Sequence, residues 1–274
     1  VLSIKFGGHD TAAAIMINGK LIAACEQERY TLDKHSRKFP NEAINDCLKI
    51  AKISINKVDE IAFVNKPNYF INEFYLKPAL KNSERLNFLI QDIDSIKKNY
   101  FIEDIIRKET GYKGKIQYYF HHDCHLASAY FPSGFKNTLL MSHDGMGEIA
   151  TSVYAHGKSG KINYLHKENL YPHSLGLTYS AITYFLGWKH HCDEGIIMGL
   201  APYGNPLAKI KNTKDTYIKI FNEIIKEDGN LNYKINPKWI SYYNKRDTWI
   251  TDKFIRLFGK PRKFNGRITK HHKN

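Results

Sequence analysis

The feature that most constrains this chain is a pattern that occurs twice. A short apolar run, a His-Asp pair, a second apolar run, a tight turn and a third apolar run span residues 2–25 and again 139–166, with the pairs at His9-Asp10 and His143-Asp144. In the first copy Asn18-Gly19 separates Ala13–Ile17 from Leu21–Cys25. Asn-Gly is a strong hairpin signal, because both central residues of a type I′ turn need positive φ. In the second copy a Gly157–Gly160 turn joins Ala150–Ala155 to Ile162–His166. Two such meanders in one chain predict two stacked, similar halves with a cleft between them.

The second copy is preceded by a His-x-x-x-His pair, His121 and His125. Residues four apart on a helix lie on one face with Cβ atoms about 5–6 Å apart, so both imidazoles can reach one ion. Leu126, Ala127, Ala129 and Tyr130 continue that helix to Pro132, which has no N–H to donate. Leu139–Met141 then read as a short buried strand, and Asp144 sits where it gives way to Gly145 and Gly147. Two neutral nitrogens and one carboxylate suit a divalent transition metal. The plainer alternative stays open at this point: with 13 histidines such a pair also arises by chance, and an aspartate after a strand also caps a turn. His122 is expected to point away from the 121/125 face, and Cys124 to be a small buried residue.

Elsewhere the periodicity is mostly helical. Ala43, Ile44, Cys47, Leu48 and Ala51 form one helix face behind Pro40, and Ile61–Val64 reads as the following strand. From about residue 70 to 108 Leu86, Leu89, Ile90, Ile93 and Ile96 form a stripe, taken as the core-forming side of a helical insertion (about 70–110) over the cleft. Ser174 can cap a helix running to Leu186, with Gly187 at its end. Residues 208–226 predict a further helix, and 239–258 a mixed helical stretch. The domain division expected is 1–120 and 121–274.

Composition narrows the partners. The net charge of +14 could attract anions, and the densest basic region, Lys253 to Lys273, could bind phosphates. The lysines are otherwise scattered among asparagines and isoleucines, so nucleic acid is not the expected partner. Four well-separated cysteines make no metal ribbon and no disulfide framework, which points to a reducing compartment. No apolar run approaches the ~18–20 residues that span a bilayer. The expected location is cytoplasmic.

Four blocks in order carry a family resemblance: GGHDTAAAIMINGKLIAACEQERYTLDKH from Gly7, HHDCHLASAYFPSGF from His121, SHDGMGE from Ser142, and YPHSLGLTYSAITYFLG…DEGIIMGLAPYG from Tyr171 to Gly204. They resemble the NodU/CmcH-type O-carbamoyltransferases. The resemblance implies an α/β fold: a ribonuclease-H-like, duplicated, actin/hexokinase-like domain with mixed β-sheets flanked by helices. It implies that the chain is a fragment, followed in the family by a C-terminal adenylate-forming domain. The implied reaction uses ATP and carbamoyl phosphate to make carbamoyl-adenylate, then passes the carbamoyl group to a hydroxyl of a small-molecule or glycan acceptor. His121, His125 and Asp144 would hold a divalent metal, iron(II) by analogy, and His9 and Lys34 would face the carbamoyl group as catalytic residues. Asp10 in the first loop, with Gly145, Gly147 and Gly199, would approach the bound cofactor. A homodimer is compatible with this reading. One departure stands out: relatives often carry a lysine after Asp-Glu-Gly, where this chain has Ile196. Three other readings remain at this level: a tRNA threonylcarbamoyl-transfer relative, a metal hydrolase, and a non-enzymatic nucleotide-binding module.

Overall fold

The opening apolar runs form a meander because each alternates in the period of a strand. In β1 (Leu2–Lys5) Leu2 and Ile4 are fully buried while Ser3 and Lys5 face the other side. β2 (Ala12–Ile17) and β3 (Lys20–Glu26) are joined by Asn18 and Gly19 at φ 49° and 76°, the double left-handed turn that the dipeptide predicts. The computed structural model describes residues 1–243 and 248–274, without the side chains of 166–168, and divides into two units, Val1–His125 and Leu126–Asn274.

In the first unit α1 (Asn41–Ala51) lays Ala43, Ile44 and Cys47 against the sheet, with Pro40 at its N-cap. β4 (Glu60–Phe63) and, after the insertion, β5 (Lys115–Tyr118) add in parallel on the other side of β1, giving the order β3-β2-β1-β4-β5. Parallel neighbours need long connections. Here these are α1 and a run of helices from Pro67 to Thr110, including α2 (Ser83–Gln91), α3 (Ile93–Tyr100) and α4 (Ile102–Thr110).

That insertion corrects one expectation. Of the stripe read as core-forming, Leu86, Ile90 and Ile93 are exposed, and Leu89 and Ile96 are only half-buried. The buried residues of α2 are Arg85 and Phe88. The Arg85 guanidinium lies 4.8 Å from the Phe74 ring and 4.4 Å from the Phe88 ring, and donates to the Phe74 carbonyl at 2.7 Å. Two effects explain this. Large aromatic rings with a cation on their faces bury more area per residue than the aliphatic stripe. The stripe also crosses a break at Asp92 (φ −99°, ψ 11°), so its period belongs to two helices that do not share an axis.

α5 (His121–Ser133) contains the division between the units, and it stops one residue after Pro132, which lies in its last turn. In the second unit its Leu126 and Tyr130 pack with Leu140, Val153 and Ala155. β6 (Asn137–Gly147), β7 (Ala150–Lys158) and β8 (Lys161–Leu170) form an antiparallel meander. β6 is eleven residues long, and of the expected buried trio only Leu140 is buried, Leu139 and Met141 being exposed. Only one face of the strand is covered, so alternate side chains turn out. Asp144 therefore sits within β6, where its register with β7 shifts.

Ser174 caps α6 (Leu175–Phe185) as expected, accepting from Leu177 N–H at 3.0 Å. α7 (Glu194–Leu200) follows, then α8 (Tyr217–Ile224), shorter than the helix expected over 208–226. Residues before it form a turn closed by a Lys209–Thr216 bridge, and those after it pair as β9 (Ile225–Glu227) with β10 (Tyr233–Ile235). Thr213 and Thr216 bond nearby backbone there, an alternative that competes with helix. Of the stretch expected to be helical over 239–258, α9 (Asp252–Phe258) is helical, Ile240 and Ile250 form a bridge, and 244–247 lie outside the described residues. The core here joins Phe185, Ile220, Ile224, Trp239, Phe254 and Phe258. Among the described residues no helix is long and apolar enough to cross a membrane.

Candidate functional site

The loop after β1 builds the first constellation. His9 Nδ1 lies 2.5 Å from Asp10 Oδ2, and His35 Nδ1 lies 2.8 Å from Asp10 Oδ1. Asp10 and His35 both adopt left-handed backbone, at φ 56° and 58°. Such a backbone costs a non-glycine residue on the order of 1 kcal/mol, although Asp and His tolerate it better than most. Neighbouring bonds hold both in place: Lys5 Nζ donates to the His9 carbonyl at 2.8 Å, and His35 N–H donates to Glu28 Oε2 at 2.9 Å. Burial pushes the Asp10 carboxyl up, but the bonds from His9 and His35 outweigh it and hold the group below its ordinary value. Lys34, one residue before His35, is exposed and has no hydrogen bond or ion pair among the described residues. The structure thus brings His35, rather than Lys34, to the His9-Asp10 pair. The sequence signal for this was the Lys34-His35 dipeptide itself, which does not say which of the two turns inward.

The second constellation is on α5. His121 and His125 share a helix face as their spacing predicts, with Nε2 atoms 2.9 Å apart and ring centroids 4.5 Å apart. Nitrogens this close either share one proton or turn their lone pairs to a common cation. His122 is buried, whereas Cys124, expected to be buried, is half-buried and in no disulfide.

Asp144 is oriented locally. Its Oδ1 accepts from Gly145 N–H at 2.6 Å, and the Ser174 hydroxyl points to the carbonyls of Asp144 (3.2 Å) and Gly145 (2.8 Å). Gly176, in the first turn of α6, allows this approach. A Cβ there would lie 2.5 Å from Gly145 N and 2.7 Å from the Asp144 carbonyl oxygen, a contact that side chains do not make. Helix α5 runs on from the histidines to Leu126 and Tyr130, which pack with Leu140 of the same strand as Asp144.

Among the described residues, two groups of side chains have the chemistry to hold a metal ion: His9, Asp10 and His35, and His121, His125 and Asp144, each with one ligand atom per residue inside 4.8 Å. Two imidazole nitrogens and one carboxylate oxygen fit a divalent transition ion with positions to spare.

The glycines have more ordinary surroundings. A Cβ on Gly145 would meet Leu177 at 3.6 Å, an everyday contact, Gly147 is buried in β6, and Gly199 on α7 faces open space. Glu194 is taken up in closing its own loop, accepting from Ser180 Oγ and His191 N–H at 2.6 Å each. In the basic region Arg262 stacks on Trp188 and donates to the carbonyls of Phe264 and Gly266, so part of that charge holds the fold together.

Comparison with known proteins agrees with these motifs. Residues 1–274 match the family model described as carbamoyltransferase N-terminus. An uncharacterized protein of Synechocystis, sll1178, is 34% identical over 274 residues, covering 96% of this chain and 43% of that protein. The nodulation protein NolNO of Sinorhizobium fredii is 34% identical over 205 residues, covering 72% of this chain and 28% of its own length. The chain thus spans less than half the length of either relative. The nodulation protein NolO of Bradyrhizobium diazoefficiens is 39% identical over 88 residues, 31% of this chain and 15% of that protein. Among solved structures, the type II variant of the Aquifex aeolicus Ppx/GppA phosphatase superposes with a TM-score of 0.33 at 12% identity, over 76% of this chain and 65% of that one. From the match along its whole length, the chain belongs to the NodU/CmcH-type carbamoyltransferase family, whose N-terminal region it corresponds to.

Proposed function

We propose that the protein containing this chain transfers a carbamoyl group to a hydroxyl of a small-molecule or glycan acceptor. In this reading water releases phosphate from carbamoyl phosphate, the resulting carbamate attacks the α-phosphate of ATP to give carbamoyl-adenylate and pyrophosphate, and attack by the acceptor hydroxyl on the carbamoyl carbon, with loss of its proton, releases AMP. Family membership supplies the reaction class; the observation that carries the site is the His121–His125 pair, with its Nε2 atoms 2.9 Å apart on one helix face. His121, His125 and Asp144 would hold a divalent ion, iron(II) in our reading. Such an ion would supply Lewis acidity and neutralise charge at the nucleotide end. The chain's own residues do the positioning. Ser174 and Gly176 seat α6 against the Asp144–Gly145 backbone. His9 faces the carbamoyl group and holds it in place for attack by the acceptor hydroxyl. Lys34, exposed beside His35, would supply the cation that meets charge developing on the carbamoyl oxygen, and Gly145, Gly147 and Gly199 would lie toward the nucleotide.

We also read the two units as the paired halves of a ribonuclease-H-like duplication. The order β3-β2-β1-β4-β5, with an antiparallel meander and two parallel additions, supports this, as does the β6–β8 meander that repeats its opening. The adenylate-forming part would belong to the remaining length that the relatives have. The test is AMP release by the full-length protein. It should require ATP, carbamoyl phosphate and a hydroxyl acceptor together; release that ignores carbamoyl phosphate would sink the proposal.

A further inference from the structure

We infer that Asp10 is a positioning carboxylate shared by two imidazoles, and that His35 joins His9 as a second acceptor for the N–H groups of a carbamoyl ligand. This deepens the proposed function and rests on it for the identity of the ligand. The geometry comes from three side chains on two loops, His9 and Asp10 before β2 and His35 before α1. Asp10 uses one oxygen for His9 Nδ1 and the other for His35 Nδ1. A carboxylate only accepts, so each ring carries a proton on Nδ1, and in the neutral imidazole each Nε2 is left with a lone pair. Neither Nε2 has a hydrogen-bond partner among the described residues, and the side chains are 46% (His9) and 27% (His35) exposed. The rings stand nearly perpendicular, at 89°, with centroids 6.4 Å apart, so the two lone pairs are not spent on each other.

A metal on these three residues is the rival arrangement. It is disfavoured because each oxygen of Asp10 takes one ring in a separate pairing, whereas ligation would aim all three at a single point. The chemistry of what can bind follows. Two neutral lone pairs beside a carboxylate repel an oxyanion, so the phosphate end of carbamoyl phosphate is excluded from this pair. A carbamoyl NH2 offers two N–H donors and no negative charge, and it matches two acceptors. Asp10 then acts through the rings, holding their tautomer as the carboxylate of a His–Asp pair does. Lys34 is left to its solvent-exposed position.

Selective 15N-histidine NMR of the protein tests this without an activity assay. Both His9 and His35, assigned by His9→Gln and His35→Gln, should show the proton on Nδ1 and an acceptor Nε2. Asp10→Asn should change the tautomer populations of both rings, and Asp10→Glu should restore them in part. Either ring found with its proton on Nε2 in the unmutated protein would overturn the inference, whatever the variants do. Carbamoyl phosphate should shift both Nε2 resonances, and acetyl phosphate, with a methyl in place of the NH2, should leave them within error. Equal shifts with both compounds, or none with either, would also overturn it. If the tautomers hold while the full-length protein fails to carbamoylate, the proposed function falls and the role of Asp10 stands.

Discussion

Asp10 carries a charge whose bonds to two neighbours, His9 and His35, tie stability to pH. Its folded-state pKa is depressed, so in acid the unfolded chain binds the proton more readily than the folded one. The stabilisation is therefore complete above the ordinary aspartate value of about 4 and is lost as pH falls through the lower folded value. Denaturation series between about pH 2 and pH 6 should show this acid-side loss in the unmutated protein, and Asp10→Asn should flatten that component. At His121 the expectation concerns metal. Removing one of three ligands should weaken divalent-ion affinity by on the order of 100-fold or more, since even supporting residues around a metal account for 10–100-fold. Elemental analysis after dialysis against a chelator measures it; an unchanged metal content in His121→Ala would remove the ion from α5. The His-x-x-x-His pair was legible before folding because one helix turn fixes its spacing. The partner of Asp10 was not, because Lys34 and His35 are adjacent and loop geometry alone chose between them.

At the scale of elements, the insertion shows where periodicity misleads. Apolar residues at Leu86, Ile90 and Ile93 have helical spacing yet stay exposed, while Arg85 and Phe88 are buried. Spacing identifies a helix; it does not say which stripe wins the core when two compete. The competition was decided by Phe74 and Tyr75, which arrive from the preceding helical segment Ile71–Leu76. Phe88→Ala should therefore cost about 3 kcal/mol. Ile90→Ala, at an exposed site, should change stability by less than about 0.5 kcal/mol. Urea denaturation of the two variants separates the cases, and equal losses would mean that the stripe is covered in solution. The same lesson applies to β6, where a run read as wholly buried alternates because only one face has neighbours.

At the scale of the whole molecule, the relatives are more than twice as long as the region matched in this chain. If the adenylate-forming part lies in that remaining length, residues 1–274 alone should release no AMP in the assay that reports activity of the full-length protein; turnover by the isolated chain would contradict that division of labour. By itself the sequence determined what local geometry controls: the Asn18-Gly19 hairpin, the strands around it, the α1 face, the shared helix face of His121 and His125, the Ser174 cap, and, through four blocks along the chain, the family. Only tertiary structure decided which of two adjacent loop residues meets Asp10, which face of the insertion is buried, and how closely α6 approaches the Asp144 backbone. The physical reason is range. Turns, caps and helix faces are set by dihedral angles within a few residues, whereas burial and side-chain pairing depend on segments tens of residues away competing for the same space.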